Sequence, residues 1–111
     1  MARVERIGSI DVVRSPGTLR DEALEELQST CQQLLRHGFP SIVIDLTQTV
    51  VISGLGLQWL LQLDRDCSQL GGVVVVAGAH DLAAEALSIT GVGPQLQLAP
   101  DMTTALARFA S

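Results

Sequence analysis

Lysine and tyrosine are absent from this sequence: its seven basic residues are all arginines, and Trp59, Phe39 and Phe109 are its only aromatic side chains. Without lysine, a phosphate-binding P-loop, a Schiff-base enzyme and a kinase active site each lose a required amine. Three aromatics leave little material for stacking nucleobases. The formal charge of -5 is spread along the chain and supplies no clustered cations for nucleic acid or an anionic bilayer. No apolar run reaches the roughly 18 residues of a membrane span, and the opening MARVERIGSI lacks the apolar segment of a secretory signal. Cysteine is also scarce. Cys31 and Cys67 form no Cys-x-x-Cys pair and fall on inward helix faces, the pattern of buried free thiols in a cytoplasmic protein.

What is present is apolar and periodic. Hydrophobic residues make up 47% of 111 positions, enough for one folded domain over residues 1–111. Val4–Ile7 and Ile10–Val13 alternate around Gly8-Ser9, which predicts a hairpin of two strands. After Pro16-Gly17, apolar residues recur at Leu24, Leu27, Cys31 and Leu34, the spacing of an amphipathic helix. Thr18 with Asp21 resembles a capping box at its start, and Gly38 with Pro40 stops it. SIVIDL, residues 41–46, reads as a strand buried on both faces and ending at Asp45. The loop TQTVVIS leads to a second helix from about Gly54 to Leu70, with its stripe at Leu60, Leu63, Cys67 and Leu70. Gly71-Gly72 ends that helix before the strand VVVVA, and Asp81 is expected to cap a third helix that Gly91 closes. QLQL, residues 95–98, alternates as an edge strand, and Pro100-Asp101 opens a last helix carrying Met102, Ala105, Leu106 and Phe109. The expected fold is α/β: a mixed sheet of four to five strands with about four helices, in the order β-β-α-β-α-β-α-β-α.

The run IVIDLTQTVVISGLGLQWLLQLDRDCSQLGGVVVVAG resembles the centre of a STAS domain, the fold of bacterial anti-sigma-factor antagonists. The matching positions are Asp45, Leu46, Thr47, Ser53, Gly54, Leu55, Gly56, Gly71, Gly72 and Val73–Val76. Gly17-Thr18-Leu19 and the run from Leu87 to Val92 are similar to flanking motifs of that family, so the resemblance spans about residues 10 to 110. It implies a regulatory protein-binding module, not an enzyme, with no cofactor. In that reading Ser53 is phosphorylated by a serine kinase that is itself the anti-sigma factor, and a serine phosphatase reverses the modification. The implied partner face comprises Asp45, Thr47, Ser53, Gly54, Leu55, Gly56, Gln58 and Trp59. One departure is plain: Val51-Ile52 precede Ser53 where the family usually has Asp-Ser, and the loop is shorter than usual. The alternative is an unphosphorylated STAS subunit that binds a transport ATPase or a small ligand.

The residues themselves weigh against other chemistries. Asp45 at a strand end suggests a receiver-domain phospho-acceptor, but that site needs a lysine, and the better reading is a carboxylate bonding loop amides. The histidines, His37 and His80, neighbour neither cysteine in sequence, so a four-ligand zinc site is not expected. Ser53-Gly54-Leu55-Gly56 lacks the preceding Gly-x of a hydrolase nucleophile elbow, and its glycines are read as packing glycines as readily as a phosphate loop. No catalytic residue is assigned. Trp59 falls near Gln62 and Asp66 on the side away from Leu60 and Leu63, which predicts a largely exposed indole.

Overall fold

In chain order the computed structural model comprises β1 (Arg3–Ile7), β2 (Ile10–Arg14), β3 (Thr18–Leu19), α1 (Asp21–Leu34), β4 (Ser41–Asp45), β5 (Val51–Ile52), α2 (Gly54–Gln69), β6 (Val73–Ala77), α3 (Asp81–Ile89), β7 (Leu98–Ala99) and α4 (Met102–Ala107). It describes residues 3–110, apart from the side chain of His37. The five-stranded sheet has the order β1-β2-β4-β6-β7, with β1 antiparallel to β2 and every other pair parallel. Ile7 faces Ile10 across the hairpin, and Gly8 takes φ +61, a value that the first position of a tight hairpin turn requires and that glycine adopts without strain.

The register explains why the central strands read as continuous apolar runs. Val12, Val43 and Val75 lie side by side on one face, and Val13, Ile44 and Val76 on the other. The first row packs with Ala77, Ala99 and Ala105 under α4. The second joins Leu24, Leu27 and Cys31 of α1, Leu57, Leu60, Leu63 and Cys67 of α2, and Ala83 and Leu87 of α3. Each fully buried leucine contributes on the order of 1.5–3 kcal/mol of transfer free energy. Burial pushes the thiols of Cys31 and Cys67 up to about 12, so both remain protonated apolar groups at neutral pH.

The mixed sheet and the four helices agree with the periodicity, while several boundaries move. Thr18 does not cap α1: it sits in β3, paired with Val51, and the N-cap position falls to Arg20, whose side chain makes no capping bond. Asp21 follows with φ +50, and Asp81 begins α3 with φ +48; aspartate is among the few residues that tolerate this region. His80, not Asp81, therefore occupies the cap position of α3, again without a side-chain capping bond. QLQL contributes only Leu98 to β7, because a 3-10 turn over Gly93–Gln95 uses its first residue. At α4 the expectation holds: the Asp101 carboxylate accepts from the Thr104 amide at 2.8 Å.

The Gly71-Gly72 pair serves close approach as well as helix termination. A Cβ on Gly72 would lie 2.1 Å from the Pro40 carbonyl oxygen and 2.6 Å from Pro40 Cδ. Gly72→Ala is therefore expected to cost roughly 2–3 kcal/mol or more, read by denaturant unfolding, because the obstacle is backbone. Gly54→Ala points into open space and should change stability by no more than about 0.5 kcal/mol.

Candidate functional site

The segment between β4 and α2 leaves the sheet at Asp45. Its carboxylate oxygen Oδ1 accepts from the Thr47 amide at 2.9 Å and from the Thr47 hydroxyl at 2.5 Å, which folds the chain into an Asx turn. Asp45 is itself buried. From there the segment is laced to the connection between β2 and α1. The carbonyl of Ser15 accepts from Gln48 Nε2 at 2.9 Å, that of Pro16 from the Thr49 hydroxyl at 2.7 Å, and that of Gly17 from the Val50 amide at 2.8 Å. The Leu19 carbonyl accepts from the Ser53 amide at 3.1 Å. Within this lacing β3 and β5 form a two-residue parallel ladder, Thr18 beside Val51 and Leu19 beside Ile52. The expected loop is thus partly a strand, and Ile52 is its buried anchor.

Ser53 emerges from the lacing as the N-cap of α2. Its backbone is extended, with φ -72 and ψ 164, and its Oγ accepts from the Gly56 amide at 3.1 Å while its carbonyl accepts from the Leu57 amide at 3.0 Å. Ser53 as a residue is half-buried. Gly56 is a packing glycine: an added Cβ would sit 3.0 Å from Ile52 Cγ2 and 3.1 Å from the Leu19 carbonyl oxygen. The first turn of α2 carries no acidic residue, so the positive end of a 16-residue helix faces outward at Ser53 without a side-chain counter-charge of its own.

Around Ser53 the surface is apolar. Leu55 is 70% exposed, Val50 51% and Val51 40%. Thr47, Gly54 and Gln58 are exposed as well, whereas Asp45 and Gly56 are buried and reach a partner only through the loop and helix they position. Trp59 departs from expectation: its indole is half-buried and packs against the main core cluster. Its other side lines a groove of about 500 Å³ between α1 and α2. Asp21, Leu24, Glu25 and Gln28 line it from α1, and Leu55, Gln58, Trp59 and Gln62 from α2, each set at i, i+3, i+4 and i+7. Gln62 is turned along its own helix to donate to Asp66 at 2.9 Å. The α1 wall was not anticipated, although its four positions form a helical face one step from the Leu24-Leu27 stripe. Gln48 and Thr49 carried no sequence signal, since their partners lie 33 residues away.

With this geometry in hand, the family description "Mlab, STAS domain" matches residues 2–100. The chain belongs to the STAS domain family. No curated protein matches it in sequence. Among solved structures, it superposes on a putative anti-sigma factor antagonist from Thermotoga maritima with TM-score 0.88 and 14% identity, covering 99% of this chain and 95% of that one. An anti-sigma factor antagonist from Mycobacterium paratuberculosis gives 0.87 and 20%, covering 100% and 94%. The antagonist SpoIIAA in its unphosphorylated form gives 0.82 and 17%, covering 99% and 96%. At these identities the likeness is one of fold, and the STAS fold holds over the whole described chain.

Two substitutions test this description of the STAS domain's surface. Ser53→Ala removes one capping bond and should cost about 1 kcal/mol. Trp59→Ala should cost roughly 1.5–2.5 kcal/mol, between the effect of a surface change and the ~3–5 kcal/mol of a fully buried aromatic. Chemical denaturation of both variants against the parent reads the two values, and a Trp59→Ala loss near zero would place the indole outside the core.

Proposed function

We propose that this STAS domain is a non-enzymatic, cytoplasmic regulatory module that binds a protein partner through the Ser53 loop and the N-terminal half of α2. The partner is a serine kinase acting as an anti-sigma factor, and phosphorylation of Ser53 switches the complex, with a serine phosphatase restoring it. The observation that carries this reading is Ser53, half-buried at the N-terminus of α2 where the first turn has no acidic side chain, and flanked along the chain by exposed Val50, Val51 and Leu55. Apolar side chains around a hydroxyl form a surface that loses water on docking, and their exposure offers the stabilisation of an interface. A phosphoryl group there adds about -1.5 to -2 charges, which the helix end accommodates while the apolar ring and an opposing partner do not. The modification therefore acts on the complex and leaves the fold intact. That three fold relatives carry the name of anti-sigma factor antagonists supports the same reading.

One observation favours a second reading. The segment from Leu46 to Ile52 contains no acidic residue, and Val51-Ile52 stand where the family usually has Asp-Ser. A permanently docked subunit of a transport ATPase, or a binder of a small ligand, requires no phosphorylation and fits an apolar rim equally well. Co-purification separates the two, since recovery of an anti-sigma-type serine kinase supports the first reading and recovery of an ATPase the second.

Incubation with ATP and that kinase should add one phosphate by intact-mass measurement, and Ser53→Ala should abolish it. Ser53→Asp should keep the thermal stability of the parent, because aspartate caps a helix as well as serine, yet weaken binding by at least about tenfold. A kinase that is active on its other substrates but leaves the parent unmodified would remove the phospho-switch.

A further inference from the structure

His80 stands where α3 meets the segment that leads to Ser53, and both of its ring nitrogens face acceptors. Nε2 lies 2.5 Å from the Thr47 carbonyl oxygen, and Nδ1 lies 3.1 Å from Asp81 Oδ2. Neither a carbonyl nor a carboxylate can donate. A neutral imidazole has one N–H and can satisfy only one of these partners; the imidazolium has two and satisfies both. The ring itself is exposed, and these two contacts position it. Asp81 takes φ +48, which sets its carboxylate beside the ring, and Gly78, with φ +77, brings the backbone after β6 so close that an added Cβ would lie 2.6 Å from Thr47 Oγ1. Thr47 is in turn bound to Asp45 through its amide and hydroxyl.

We propose that His80, as the imidazolium, is a proton-dependent latch that ties the N-terminus of α3 to Thr47 and so fixes the start of the segment presenting Ser53. Asp81 is in contact from α3, Glu85 follows one turn along the same helix, Asp45 lies beneath Thr47, and Arg14 lines the small pocket that Asp45, Thr47 and Gln48 complete. The hydrogen bonds to Asp81 and Thr47 raise the His80 pKa above its ordinary value. The sign follows: the latch is complete below the ordinary imidazole pKa of about 6.5 and opens as pH rises through the higher, folded-state value. Loss of the proton leaves a lone pair against one of two oxygens, so that contact becomes repulsive. That latch opening alters docking rests on the function proposed above; the latch itself does not.

The experiment uses the free protein, so its outcome is independent of any partner. Nitrogen-detected NMR of the His80 ring across pH 5–9 should show both nitrogens protonated at the acid end and a pKa above the ordinary value. The Thr47 and Gln48 amide resonances should titrate in step with it, and protection of the Thr49 amide should fall several-fold beyond the normal hydroxide dependence of exchange. Asp81→Asn should lower the His80 pKa, and His80→Gln should abolish the titration of the Thr47 and Gln48 amides while the rest of the spectrum is retained. Titration at or below the ordinary value, or loop amides that move identically in His80→Gln, would overturn the latch.

Discussion

Everything at the candidate site depends on one set of hydrogen bonds, those that lace residues 48–53 to the carbonyls of Ser15, Pro16, Gly17 and Leu19. An eight-residue connection after a buried strand would ordinarily be free to move, because its backbone groups can bond to water at little cost. Here the donors are taken in order by a second backbone segment that the sheet already fixes. That segment follows β2, a strand with Val12 and Val13 buried on opposite faces. The rigidity of the core is thus passed to Ser53 through the side-chain bonds of Gln48 and Thr49 and the main-chain bonds of Val50 and Ser53, none of which depends on the side chains of Val50 or Val51.

The second constraint is steric. Gly56 lets the first turn of α2 close over Ile52 and the Leu19 carbonyl, and Ile52 in turn occupies the main core with Leu19 and Leu57. A helix brought this near to the lacing presents its N-terminus at a defined point. Ser53 is held there by its amide and its carbonyl, while among the described residues its hydroxyl engages only a helix amide within its own cap. The side chain is therefore replaceable without moving the backbone, a property suited to a residue that changes charge. His80 and Asp45 hold the other end of the same segment through Thr47.

Much of this was legible in the residues. The hairpin, the two-faced β4 and the stripes of α1 and α2 follow from local periodicity, which survives folding because burial enforces it. The start of α2 beside Ser53 was legible for the same reason, and the cap that Ser53 supplies there closes on Gly56, three residues away. The lacing was not, because β3 and β5 are two residues each and their pairing is between distant segments with no alternation to reveal it. The false capping box at Thr18 has the same origin: a residue suited to a local cap is claimed by a ladder with Val51. Trp59 was misplaced because angular position on one helix does not show what the rest of the core covers: its indole packs on the main core cluster at the wall of the groove between α1 and α2. His80 lies 33 residues from Thr47, beyond any motif.

The claim at the centre is that Ser53 is presented by a preorganised segment and not by a mobile loop. Native-state amide exchange at Val50 and Ser53 tests it most directly, because each amide donates to a carbonyl of the β2–α1 connection. The account predicts opening free energies at both amides approaching that of the β4 core, on the order of 5 kcal/mol or more. Exchange at both positions near the rate of an unstructured peptide, with β4 still protected, would contradict it.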